Sequence, residues 1–201
     1  MILSLASKSQ SRQQLLRDAH IPFEVIEHNS DENIDPAGKT LKELVIAIAE
    51  DKMKTVEMTG TMESPSFILT CDSLVQTHKC KTFLGKPRDM EHAREILKIV
   101  GQGPIDVESG CCLEKRVFDG TAWVTEKKMS WATGAVVEMI PDESVIEEYF
   151  TATPGALHAC GASTIEGFGT RFLKSTNGSY TAIIGLPIFE LCEALREIGF
   201  K

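Results

Sequence analysis

Short apolar runs alternate along this chain with longer stretches whose apolar residues recur every three or four positions, the mark of strands interleaved with helices. Residues 2–6 read as a short buried strand that feeds a polar turn, Ser7-Lys8-Ser9-Gln10-Ser11. The pattern predicts a helix over 12–19, with Leu15 and Leu16 facing inward, and a second strand over 23–26. After a polar loop at 29–39, Thr40-Leu41-Lys42-Glu43 forms a capping box and opens a helix to about Met58. Its stripe is Leu41, Leu44, Val45, Ile48 and Ala49, and at roughly 100° per residue Lys52 returns to the face of Leu41. A β run over 66–71 ends at Asp72, and a helix follows over 89–100. Two long strands, 107–117 and 121–139, meet at the hairpin signal Asp119-Gly120. Pro141-Asp142-Glu143 starts a helix to about Thr151, Gly185-Leu186-Pro187 ends a further strand, and 188–198 is a closing helix. The class is α/β, with a long central hairpin bridging two lobes and no repeat, low-complexity tract or linker.

Composition narrows the classes. A chain of 201 residues fits one substantial domain and buries roughly 70–75% of its unfolded surface, so it folds without disulfides or a structural metal. With 42% hydrophobic and 25% charged residues it is not a disordered protein. A net charge of −8 disfavours a general nucleic-acid binder, although a few focused cations and a metal still suit a small phosphorylated ligand. The six cysteines include no C-x-x-C, and adjacent Cys111 and Cys112 point to opposite faces of a strand. They read as buried small hydrophobes in a reducing compartment. Five scattered histidines and the absence of H-E-x-x-H give no zinc site. The first six residues are too short, and too poor in basic residues, for a signal or membrane span, so a soluble, cytoplasmic protein is expected.

Candidate chemistry gathers at element ends. The cluster Ser7, Lys8, Ser9, Ser11 and Arg12 lies between a strand C-terminus and a helix N-terminus, where unpaired N–H groups and the helix dipole suit an anion. Ser9 or Ser11 also suits a plain cap, which by itself does not call for so many polar residues. Lys52 either snorkels to water or places its ammonium in a cleft at the core's edge; spacing leaves both open. A carboxylate at the tip of a buried strand, as Asp72 is read, is costly without a metal, a cation or a hydrogen-bond partner, and such tips are where α/β proteins place functional residues. The loop Gly85-Lys86-Pro87 is not a P-loop, and the glycine-rich stretch from Gly161 to Gly169, which presents Glu166, is not the dinucleotide fingerprint.

Taken in order, these pieces resemble the Maf family, the septum-formation-related nucleotide pyrophosphatases. The carrying residues are Leu5-Ala6-Ser7-Lys8-Ser9-Gln10-Ser11-Arg12, Asp31-Glu32, Ala49-Glu50-Asp51-Lys52, Cys71-Asp72-Ser73-Leu74-Val75, Gly85-Lys86-Pro87, Gly161 to Gly169, and Gly185-Leu186-Pro187, which span nearly the whole chain. The resemblance implies a single Maf-like domain over 1–201, with a mixed elongated sheet like that of inosine triphosphate pyrophosphatases and two lobes with a cleft between them. It also implies hydrolysis of a nucleoside triphosphate between the α and β phosphates, with Mg²⁺ or Mn²⁺ as cofactor and commonly a homodimer. Asp72, Lys52 and Lys86 would be catalytic; Ser7, Arg12, Ser11, Ser73 and Glu166 would bind substrate; Glu32 and Asp72 would hold the metal. Whether Asp72 is proton acceptor or metal ligand stays open. Glu166 matches the branch associated with 7-methyl-GTP, where the dTTP/UTP branch carries Gln. Ser11 and Ser73 match neither branch, and Gln10 and Gln13 depart from the usual Pro and Arg. The expected substrate is a modified nucleotide such as 7-methyl-GTP, with dTTP/UTP hydrolysis or a non-catalytic nucleotide-binding regulator of division as alternatives.

Overall fold

A computed structural model describes residues 1–59 and 62–201, whose strands make one mixed seven-stranded sheet. In chain order the elements are β1 (Leu3–Leu5), α1 (Gln10–Asp18), β2 (Phe23–Val25), α2 (Leu41–Lys54), β3 (Ser66–Thr77), β4 (Phe83–Leu84) and α3 (Met90–Val100). Then follow β5 (Ile105–Phe118), β6 (Trp123–Met139), α4 (Ile146–Ala152), β7 (Leu173–Gly178), α5 (Tyr180–Ile184) and α6 (Ile188–Glu197). The strand order is β2-β1-β3-β5-β6-β7, with β4 paired to β3. The short, wholly buried β1 runs parallel to both neighbours, Leu5 lying opposite Val25 and Leu69, which is the pairing a continuous apolar run favours.

The chain divides into two compact units, one of residues Met1–Asp72, Ser109–Thr133 and Gly185–Lys201, the other of Ser73–Glu108 and Gly134–Ile184. In the first, α2 buries Ala49 and Met53 against Ala6, Ile68 and Cys112. In the second, the apolar face of α3 (Ala93, Ile96, Leu97 and Val100) joins Tyr149, Phe150 and Phe172 in a core whose aromatic rings meet at a tilt.

Local chemistry sets the element ends. The capping box of α2 forms as the sequence predicts: Thr40 Oγ1 accepts from the Glu43 N–H, and the Glu43 carboxylate accepts from the Thr40 N–H. The helix stops at Lys54, short of the predicted Met58. The Thr55 hydroxyl donates to the Lys52 carbonyl at 2.9 Å, while Arg116 donates to the carbonyls of Met53 (3.0 Å) and Val56 (3.4 Å). Those bonds satisfy the orphan carbonyls of the last turn and close the helix early. The hairpin between β5 and β6 is held by Asp119, whose Oδ1 accepts from the N–H groups of Thr121 and Ala122 at 2.8 Å each.

Three readings are corrected. Asp72 is not at a strand tip, because β3 continues through it to Thr77 and pairs with β4 at Val75 and Gln76. The residues before Gly185 form the short helix α5, not a strand: Ser179 caps it, its hydroxyl accepting from the Ala182 N–H at 3.3 Å, and this overrides the β preference of Thr181, Ile183 and Ile184. Cys80 is exposed and Cys160 and Cys192 are half-buried, whereas Cys71, Cys111 and Cys112 are buried as expected; none of the six forms a disulfide. No helix among the described residues is long and apolar enough to cross a membrane.

Candidate active site

Lys52 is carried inward by the apolar stripe of α2, and its side chain is only 6% exposed, which rules out snorkelling. Its ammonium donates to Asp72 Oδ1 at 2.8 Å, lies 3.1 Å from Glu32 Oε1, and reaches the Cys71 carbonyl at 3.4 Å. Asp72 is 11% exposed, so the lysine is what makes a carboxylate tolerable inside β3. Glu32 comes from the loop after β2 on backbone in the left-handed region, φ +58°, a conformation that costs energy outside glycine and collects at functional sites.

Arg12 completes the cluster from α1. Its guanidinium is buried and donates to Ser7 Oγ (3.0 Å), the Cys71 carbonyl (3.0 Å) and the Gly185 carbonyl (2.9 Å). Two cations, Arg12 and Lys52, therefore converge on the single carbonyl oxygen of Cys71. Ser7 Oγ also accepts from the Ser9 N–H, and Ser9 is the N-cap of α1, its Oγ accepting from the Arg12 N–H. The polar turn thus supplies a cap and an anchor at once. Ser11 is exposed on α1, and Lys8, also exposed, pairs with Glu27.

The charges of Arg12 and Lys52 are balanced by Glu32 and Asp72, so a polyanion arriving here brings unmatched charge. Among the described residues no group of three or more His, Cys, Asp and Glu side chains is arranged to hold a metal. Glu32 and Asp72 meeting at one ammonium are two oxygen donors, the kind of ligand a hard divalent ion would take.

The other predicted residues belong to the second unit. Lys86 is exposed in the loop after β4. That loop is tied to the glycine-rich stretch, since the Gly161 N–H donates to the Gly85 carbonyl at 3.1 Å; the Cys160 thiol donates to the Ser73 carbonyl at 3.4 Å. Ser73, the Lys86 loop and the start of the glycine segment are thereby brought together. Glu166 is exposed at the head of a single 3-10 turn, Gly167–Arg171. The glycines serve that loop's own backbone: Gly167 sits at φ +56°, and a Cβ on Gly169 would lie 1.9 Å from the Thr164 carbonyl oxygen.

Two features beside the cluster were not among the predicted site residues. His28, four residues before Glu32, lies within electrostatic reach of Lys52, Glu32, Arg12 and Lys8. Burial, reinforced by Lys52, holds its ring below the ordinary imidazole pKa, with Glu32 opposing. Its position straight after β2 in the Glu32 loop was the available signal. Beneath the site, Cys111 donates its thiol to Cys71 Sγ at 3.7 Å. Burial and the neighbouring Cys71 push the Cys111 thiol well up. Cys71 is itself raised by burial, but the Cys111 hydrogen bond, Arg12 and Lys52 outweigh that and bring it below its usual value.

An α/β protein with a buried lysine bridging two carboxylates, and an arginine tied to the same carbonyl, is the class these features define. The chain belongs to the Maf family, matching it over residues 2–198 under the description Maf-like protein. Similar proteins include the dTTP/UTP pyrophosphatase of Anaeromyxobacter sp. (strain Fw109-5), 32% identical over 197 residues, covering 98% of this chain and 89% of that protein. Those of Fusobacterium nucleatum subsp. nucleatum and Acholeplasma laidlawii, named alike, are each 31% identical and cover 98% of this chain, with 95% and 97% of their own lengths. The solved structure of the Staphylococcus aureus Ham1 protein overlaps 69% of this chain and 72% of its own at 13% identity, with a TM-score of 0.33, too low for function to be read from it.

Proposed function

We propose that this protein is a nucleoside triphosphate pyrophosphatase, hydrolysing the α–β phosphate bond to give a nucleoside monophosphate and pyrophosphate. The observation that carries the reading is the buried ammonium of Lys52 held between Asp72 and Glu32, with Arg12 on the same carbonyl. A binding-only regulator has little need of a carboxylate beside phosphates. A triphosphate carries about four negative charges, so catalysis is largely positioning and charge stabilisation. Asp72 takes the proton of the attacking water, and Lys52 fixes that carboxylate's orientation. Ser7 binds a phosphoryl oxygen at the head of α1, and Arg12 holds Ser7 in place. The roles of Lys86 as phosphate cation and of Ser11, Ser73 and Glu166 around the base rest on residue chemistry and family membership. Glu32 and Asp72 would hold Mg²⁺ or Mn²⁺, which would neutralise phosphate charge. A cytoplasmic homodimer belongs to the same reading.

The names of the full-length relatives make dTTP and UTP the first substrates to expect. Glu166 favours a second reading. A carboxylate suits a base edge rich in N–H donors, such as the N1–H and amine of 7-methylguanine, and repels the paired carbonyls of thymine. The test is kcat/KM for dTTP, UTP, CTP, GTP and 7-methyl-GTP with either metal, on wild type and Glu166→Gln, with pyrophosphate measured directly. A preference for dTTP or UTP sets Glu166 aside as base reader. A preference for 7-methyl-GTP that narrows about tenfold in Glu166→Gln assigns it that role. No pyrophosphate from any substrate overturns the enzymatic reading.

A further inference from the structure

The loop after β2 is pinned on both sides of His28. Glu27 pairs with Lys8, the Asn29 N–H donates to Thr55 Oγ1 at 3.2 Å, and the Ser30 hydroxyl donates to Asp51 at 2.7 Å. His28 is thus held between the Ser7 turn and the last turn of α2, the two elements that deliver Arg12 and Lys52. Its Nδ1 is buried and, among the described residues, has no hydrogen-bond partner. A buried polar atom left unpaired is costly, and at a ligand site the ligand can supply the missing partner. The surroundings say what kind of partner. Three cations, Lys8, Arg12 and Lys52, and one carboxylate, Glu32, lie within electrostatic reach of the ring. Among so many cations the neutral ring keeps an N–H donor without adding a fourth positive charge.

We propose that His28 is a further substrate-contacting residue of this site, its ring turning about χ2 to donate an N–H to a phosphate oxygen of the bound polyphosphate. The half-turn exchanges Nδ1 with Cδ2, so the orphaned nitrogen leaves its buried position when the anion is there to receive it. This inference rests on the pyrophosphatase reading for the identity of the anion, but not for the contact itself.

The test measures the Kd of inorganic tripolyphosphate by calorimetry, and kcat and KM for the best nucleotide of the panel, on wild type, His28→Phe and His28→Gln. His28→Phe raises Kd and KM about tenfold with kcat within about twofold, and His28→Gln, which keeps a donor, stays within about threefold of wild type. Unchanged Kd and KM in His28→Phe overturn the contact, as does a loss confined to kcat that Gln does not rescue. Should His28→Phe fail to fold, the imidazole ¹⁵N resonances of wild type decide: a shifted Nδ1 signal on saturation with tripolyphosphate supports the contact, and an unmoved one overturns it. A wild type that binds tripolyphosphate through His28 but hydrolyses no nucleotide refutes the proposed function and leaves this contact standing.

Discussion

Replacing Asp72 by Asn removes a charge and keeps the side chain's shape, so the fold survives while the proposed proton acceptor is lost. Turnover should fall by about 10²–10⁴, read as kcat under saturating substrate. Near-wild-type turnover would remove Asp72 from the mechanism. Lys52→Met keeps the apolar stem on α2 but strands the Asp72 carboxylate in β3 without its cation. Breaking a buried pair on one side costs about 3–5 kcal/mol; the lower figure is expected here because Asp72 keeps an edge to solvent. Urea denaturation checks it, and adding Asp72→Leu should recover most of the loss. Sequence spacing placed Lys52 on the stripe yet left its direction open. A lysine stem covers apolar surface equally well whichever way its head goes, and the deciding partner lies twenty residues away in another element.

At the level of elements, the site depends on where α2 ends. Arg116, reaching from β5, ties the Met53 and Val56 carbonyls and pairs with Glu114, fixing the turn that carries Lys52. Arg116→Met should therefore lower unfolding stability by about 1–3 kcal/mol and also reduce kcat, whereas a purely structural tie would move stability alone. Parallel urea melts and steady-state rates separate the two. This element was half legible. The capping box that starts α2 is read within four residues, but its stop depends on Arg116, some sixty positions on. The two-residue β4 carries no period to detect, and α5 follows from one serine cap overriding β-favouring side chains.

For the whole molecule, acid stability offers a clean sign. Asp106 is raised by burial, but hydrogen bonds from Lys81, His78 and Gln76 outweigh that and hold it below its ordinary 3.8. A depressed carboxylate contributes stability that is present above 3.8 and lost as pH falls through that value toward its folded one. Over the same range the chain lies below its isoelectric point near 5.2, so its net charge turns positive and grows, and self-repulsion destabilises in the same direction. Comparing thermal melts of wild type and Asp106→Asn between about pH 5 and 3 isolates the first effect: the variant should lose less on acidification. Equal slopes would sink it. The α/β class and the hairpin were legible at this scale; the division into units was not marked by any linker. It cuts through β3, β5 and β6, which each give residues to both units, so composition has no seam to show.

That Asp72 stands inside a continuous strand bears on timescale and on evolution. β3 is paired on β1 through Leu69 and on β4 through Val75, so the carbon that carries the carboxylate is fenced by ladders before and after it. It does not fluctuate toward a substrate; the substrate has to arrive in register with it. What adapts between one nucleotide and another is then the chain outside the ladders, the Glu32 and Lys86 loops, while Asp72 keeps one address. Changes of specificity among relatives should accumulate in those loops and spare the strand, and amide exchange should rank Asp72 among the last protons to leave.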